Sequence, residues 1–123
     1  MKKILFIGIL PFLLMAQPSK EIQQSLATWQ PISMTIKSGN LLIVTKENRV
    51  TDTIFKAIIK NGVCMPIWLG SKKALNGIKE VTILNKFQKQ GYIFEGGKNA
   101  CQEMGNLKDK QSDFYLLGHS RLY

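Results

Sequence analysis

Residues 61–69 read Asn-Gly-Val-Cys-Met-Pro-Ile-Trp-Leu, and the rest of the predicted fold is built outward from this stretch. A glycine directly after an apolar helical repeat is typical of a left-handed helix terminus, so we expect the preceding helix to end at Asn61 and Gly62. Pro66 lacks a backbone donor, which favours an extended segment over Val63–Leu69 that lies at a sheet edge. The stretch therefore predicts the end of one element and the start of another.

Cys64, inside this stretch, and Cys101 are the two cysteines of the chain. If the protein is exported it meets oxidising conditions, which favour one disulfide between them. The bridge would close a loop of about 37 residues and stabilise the folded state by about 3 to 4 kcal/mol in the chain-entropy treatment. Two buried thiols are the alternative. Because the sequence has no Cys-x-x-Cys pair, a thiol oxidoreductase is not expected.

Residues 1–16 have the composition of a secretory signal peptide. Two lysines precede an apolar run over Ile4–Met15, and Ala16 is a small residue at which cleavage is expected. An uncleaved anchor is the alternative, but about 12 apolar residues fall short of the roughly 20 that a spanning helix needs. We therefore expect a periplasmic or secreted protein whose residues 17–123 form one small domain.

The chain is basic, with 17 lysines and arginines against 8 acidic residues. Removal of Lys2 and Lys3 leaves 15 basic residues and a formal charge of +7. Such a protein can associate with an acidic protein, an anionic cell-surface polymer, a membrane surface or nucleic acid, although export disfavours nucleic acid, or its lysines can simply solvate the surface. There is no polybasic run, so the charge alone does not choose among these alternatives.

Two β-hairpins are predicted from runs rich in β-branched and alternating apolar residues. The first covers Ser33–Lys46, and its second half, Leu41–Thr45, is apolar enough to predict an internal strand covered on both faces. Ile78–Lys86 and Gly91–Glu95 are expected to pair as the second hairpin. Phe114–Leu117 would add a last strand.

The clearest helix is predicted over Thr51–Asn61, where an apolar stripe should face the core: Ile54, Phe55, Ile58 and Ile59. Residues 17–32 predict an N-terminal helical segment that docks through Trp29 alone or frays. A short helix is expected over Ala100–Met104, and residues 118–123 are expected to be a loose tail.

Together these elements predict a single small α+β domain. It consists of an antiparallel sheet of about four or five strands, one main helix packed on the sheet, and one disulfide from Cys64 to Cys101.

Five residues are candidate binding residues because they combine aromatic or basic side chains with predicted loops and strand faces: Trp68, Lys72, Lys73, Tyr92 and Lys98. Core packing is the alternative for the two rings, and a plain solvated surface is the alternative for the lysines.

His119 is the only histidine. With Glu95 as base, His119 as acid, and Arg121 or Lys98 binding phosphate, the chain would have the groups of a small secreted ribonuclease. The alternative is an exposed imidazole without function. One histidine and two oxidised cysteines make no ligand cluster, so neither a metal nor a cofactor is expected.

The sequence therefore predicts a non-catalytic exported protein that binds another macromolecule, chiefly another envelope or secreted protein. An accessory subunit of a secretion or conjugation apparatus and an inhibitor or immunity protein both fit this description. A secreted ribonuclease-like phosphodiesterase is the alternative function.

Overall fold

The computed structural model describes residues 16–123, so the expected signal segment before Ala16 lies outside the described residues. Five strands form one sheet in chain order: β1 Ser33–Lys37, β2 Asn40–Val44, β3 Glu80–Leu84, β4 Gly91–Phe94 and β5 Ser120–Leu122. Neighbouring strands are antiparallel except for β2 and β3, which are parallel. The predicted α+β domain and its five-stranded, mostly antiparallel sheet are thus confirmed.

Five α-helices accompany the sheet: α1 Lys20–Leu26, α2 Asp52–Ala57, α3 Met65–Trp68, α4 Lys98–Gly105 and α5 Asp109–Gly118. A short 3-10 turn over Ala27–Trp29 extends α1, and a π-helical segment over Ile58–Cys64 joins α2 to α3 without a break. The helical layer is therefore larger than predicted, because the sequence analysis expected one main helix, an N-terminal helical segment and a short helix over Ala100–Met104.

The first hairpin forms where it was predicted. Ser38 and Gly39 both have positive φ, 51° and 81°, which is the geometry of a two-residue turn that matches the twist of antiparallel strands. The second hairpin, β3 to β4, is held by Asn85, whose Oδ1 accepts hydrogen bonds from the amides of Lys89 and Gln90.

The parallel pairing of β2 and β3 requires a crossover connection rather than a tight turn. The continuous helix of α2, the π-helical segment and α3 makes this crossover between Val44 and Glu80. Its predicted apolar stripe does face the core, because Phe55, Ile58 and Ile59 are fully buried and Ile54 packs against the buried cluster.

The predicted helix end at Gly62 is wrong, and so is the predicted extended segment over Val63–Leu69. Gly62 is buried, and a Cβ added there would lie 2.4 Å from Leu26 Cδ2, so this glycine allows the crossover helix to pack closely on α1. The helix continues through Pro66, which lies where the π-helical segment passes into α3.

The N-terminal helix also docks more firmly than predicted. Ile22 and Leu26 are completely buried, whereas Trp29 is only partly buried. Ser19 caps the helix by accepting a hydrogen bond from the Ile22 amide. The segment therefore does not depend on Trp29 alone.

The C-terminal predictions need two corrections. Phe114–Leu117 lies in α5 rather than in a strand, with Ser112 and Leu116 on the buried face one helical turn apart. Because the inward-facing Ser112 is polar, the apolar residues of this segment do not repeat at helical spacing, and the helix was not predicted. Residues 118–123 are not a loose tail, because β5 pairs with β4 and places Leu122 opposite Tyr92.

The Cys64–Cys101 disulfide is confirmed, with Cα atoms 5.3 Å apart. Both cysteines are completely buried. The bridge ties the last residue of the π-helical segment to the first turns of α4, so it links the two halves of the helical layer.

The two faces of the sheet differ. One face carries Leu41, Ile43, Val81, Ile83 and Phe94, which belong to the same buried cluster as the helices. The side chains that alternate with these residues point to the opposite face and lie outside that cluster. We call this opposite side the open face. β2 is an internal strand, as predicted, and on the open face its Val44 is buried whereas its Leu42 is partly exposed.

Candidate functional site

Five lysines stand on the chain segments around the end of the sheet where β2 and β3 begin: Lys37 ends β1, Lys72, Lys73 and Lys79 lie in the connection that leads into β3, and Lys98 begins α4. We call this surface the lysine end. Three loops meet there. The Gly39 turn contacts both the Gly77 carbonyl and the Lys79 side chain, since a Cβ at Gly39 would lie 3.3 Å from each. A shallow pocket joins residues 75–78 to the start of α4.

Four of these five lysines are exposed, and Lys98 is partly exposed. Glu80 and Glu95 on the adjoining part of the sheet share the single Arg121, so these three groups together carry one net negative charge against the five lysines. Glu21 and Ser71 line a common pocket, so one carboxylate lies near the segment that carries Lys72 and Lys73. The lysine end therefore carries a concentrated positive charge.

Three of the predicted binding residues, Lys72, Lys73 and Lys98, belong to this surface. The other two do not. Tyr92 points to the helix-covered face and stacks on Phe55, with ring centroids 4.9 Å apart. Its ring is thus part of the packing between β4 and α2.

Trp68 is half-buried at the end of α3. Its Nε1 donates a hydrogen bond of 2.7 Å to the Cys101 carbonyl, and its ring packs closely on Gly105. Shallow clefts flank the ring on both sides. Trp68 therefore reinforces the disulfide-linked junction of α3 and α4, and only part of its surface faces solvent.

The three residues of the phosphodiesterase hypothesis do converge at one corner of the sheet. The Glu95 amide donates to the His119 carbonyl, and the Glu95 carboxylate pairs with Arg121. The imidazole turns the other way, because His119 stacks on Tyr115 at 4.0 Å and its Nδ1 lies 2.8 Å from the Tyr115 carbonyl. The carboxylate and the imidazole thus have different partners.

The open face holds a groove of about 300 Å³ next to the lysine end. Leu42, Leu84, Ile93 and Tyr123 supply its apolar walls, and we call it the sheet groove. Polar residues complete the lining: Thr35, Lys37, Asn40, Thr82 and Gln88.

A hydrogen-bonded chain fixes the polar side of the sheet groove. Thr82 Oγ1 donates to Asn40 Oδ1 over 3.1 Å, and Asn40 Nδ2 donates to Glu80 Oε1 over 3.2 Å. Arg121 then connects Glu80 to Glu95. Lys37 lies outside this hydrogen-bonded chain, and it belongs both to the lysine end and to the lining of the sheet groove.

Two pKa shifts occur on the helical layer, away from these surfaces. A hydrogen bond from Lys60 holds the pKa of the Asp113 carboxyl below its usual value, although partial burial opposes the effect. Burial raises the pKa of Tyr115 to about 12, and the hydrogen bond from its hydroxyl to Glu103 adds to the increase. Both shifts arise from contacts that join helices to one another.

No group of three or more histidine, cysteine or carboxylate residues within residues 16–123 is arranged to hold a metal ion. In the same range, no helix has the length and apolar character needed to cross a membrane.

The sequence analysis missed four residues of these surfaces: Lys37, Lys79, Leu42 and Tyr123. The alternation of β2 contained a signal, since Leu42 must point away from Leu41 and Ile43. The other residues depend on loop contacts and on the pairing of β5, which have no local signature.

No protein-family model matches this chain, and searches of curated proteins and of solved structures found no significant relative.

Proposed function

We propose that this protein is a non-catalytic, exported binding protein whose lysine end docks on an acidic surface of another exported macromolecule. The observation that carries the proposal is the meeting of three separate loops at one end of the sheet, on chain segments that bear five lysines. Concentrated charge of one sign steers a partner of opposite sign and orients it before contact.

Export is part of the proposal. The composition of residues 1–16 favours a signal peptide, and a fully buried disulfide is compatible with an oxidising compartment. A compact domain with one charged docking end suits an accessory subunit of an envelope apparatus. It equally suits an inhibitor or immunity protein that covers an acidic site of an exported enzyme.

The test compares two charge-reversal variants that change the net charge equally. Lys72→Glu with Lys73→Glu alters the lysine end, whereas Lys86→Glu with Lys89→Glu alters the exposed turn between β3 and β4. Native protein and both variants are crosslinked in the intact envelope of the producing cell, and crosslinked partners are identified by mass spectrometry.

We expect one partner to crosslink to the native protein and to the control variant but not to the lysine-end variant. Crosslinking that is equal in the two variants, or the lack of any reproducible partner, would contradict the proposal.

The second candidate function is a secreted phosphodiesterase, favoured by the convergence of Glu95, His119 and Arg121 at one corner. Incubation of RNA with native protein and with His119→Ala separates it from the binding function. RNA cleavage by the native protein that disappears in the variant would establish the phosphodiesterase and reject the non-catalytic proposal.

A further inference from the structure

We infer that the partner is a protein, and that the sheet groove receives an apolar side chain from an acidic segment of that partner while the lysine end holds its carboxylates. This inference rests on the proposed function and adds the class of the partner. It follows from the apolar walls of the groove, from its shared border with the lysines, and from the charges beside it.

The groove has the size and lining of a pocket for a side chain. Its volume of about 300 Å³ suits one or two large apolar side chains. Leu84 and Ile93 line the groove but are themselves almost completely buried, at 2% and 9% exposed. Leu42 is half-buried, and Tyr123 is 59% exposed, so their side chains can still lose contact with water when a partner binds.

The border of the groove favours a partner that carries an anionic group next to its apolar side chain. Lys37 has the charged side chain among the residues that line the groove, and it lies next to the Gly39 turn that contacts Lys79. Asn40 is already committed to Thr82 and Glu80 by hydrogen bonds. A carboxylate one or two residues from an apolar side chain would therefore meet Lys37 when that side chain enters the groove.

The same face argues against a polyanion such as nucleic acid or an anionic cell-surface polymer. Glu80 and Glu95 stand on this face, and they hold the Arg121 guanidinium between them. A chain of evenly spaced phosphates or carboxylates laid along the face would meet both glutamates. A protein segment avoids this repulsion because it can place an apolar residue where a polyanion must place a charge.

The test uses oligoglutamate peptides in which a single leucine or phenylalanine is moved through each position, with an all-glutamate peptide as reference. Affinities for the purified exported protein are measured by calorimetry. Tyr123→Ala and Leu42→Thr remove groove walls, and the second change keeps a residue that favours a strand. Phe114→Ala is the matched control, because Phe114 is an aromatic residue of similar exposure, 64%, on the helical layer.

At least one substituted peptide is expected to bind the native protein about tenfold more tightly than the all-glutamate peptide, because burial of one large apolar side chain has this effect on affinity. The gain should disappear in both groove variants and persist in Phe114→Ala. Equal binding of all peptides, or a gain that survives both groove variants, would overturn the inference.

The two proposals fail differently. If all peptides bind equally and Lys72→Glu with Lys73→Glu weakens them all, the lysine end remains the docking surface and only the groove is rejected. If no peptide binds, or if the lysine-end variant binds as the native protein does, both proposals are rejected.

Discussion

Replacement of Gly62 by alanine tests the contact on which the corrected helical layer depends. The added Cβ would lie 2.4 Å from Leu26 Cδ2 and 3.3 Å from Trp29 Cζ3, far closer than an ordinary carbon contact of about 3.8 Å. Leu26 is completely buried, so its side chain cannot swing into solvent to relieve the overlap. Such overpacking costs about 1 to 3 kcal/mol, and the better helix propensity of alanine returns at most about 1 kcal/mol.

Gly62→Ala should therefore lower the free energy of unfolding by about 1 to 2 kcal/mol, measured by urea denaturation. Gly118→Ala is the matched control, because Gly118 ends α5 and a Cβ there meets no atom within 4 Å. The control should be neutral or slightly stabilising. If Gly62→Ala is as stable as the native protein, α1 does not pack on the crossover helix as described.

Three further predictions concern the links within the helical layer. Replacement of both Cys64 and Cys101 by alanine should lower the free energy of unfolding by about 3 to 4 kcal/mol in urea, because the bridge closes a 37-residue separation. Lys60 lowers the pKa of Asp113, so the ionised carboxylate stabilises the fold above its unfolded-state pKa, and this stabilisation is lost as the pH falls through the folded-state pKa. Asp113→Asn should therefore lower the free energy of unfolding by at most about 1 kcal/mol at neutral pH and by nothing in strong acid. Ultraviolet titration of the phenolates should show one tyrosine with a pKa of about 12 that is missing in Tyr115→Phe.

The sequence predicted those parts of the fold that have a local pattern. The Ser38 and Gly39 turn, the strand runs and the stripe of α2 each repeat within a few residues, so their elements are confirmed. The disulfide followed from two cysteines together with the expectation that the chain is exported. These patterns are sufficient for the α+β class.

The errors arise where a residue responds to a distant part of the chain. Gly62 has the local pattern of a helix end, yet its missing side chain allows the crossover helix to pack closely on Leu26, which lies 36 residues earlier in the sequence. Pro66 has the signature of a break, but the chain stays helical through it, at the junction of the π-helical segment and α3. In α5, Ser112 occupies a buried position where an apolar residue would have revealed the helix.

The candidate site was only partly predictable for the same reason. Lys72, Lys73 and Lys98 were identified by their charge and by the loops that carry them. Their grouping with Lys37 and Lys79 depends on loop contacts that form only when β2 pairs with β3.

The most direct test of the lysine end as the docking surface is the affinity of polyglutamate for the two charge-reversal variants, measured by calorimetry at one salt concentration. Lys72→Glu with Lys73→Glu should weaken binding by about tenfold or more, whereas Lys86→Glu with Lys89→Glu should change it by less than about threefold. Equal weakening in the two variants would show that net charge alone attracts the anion and would contradict a localised docking surface.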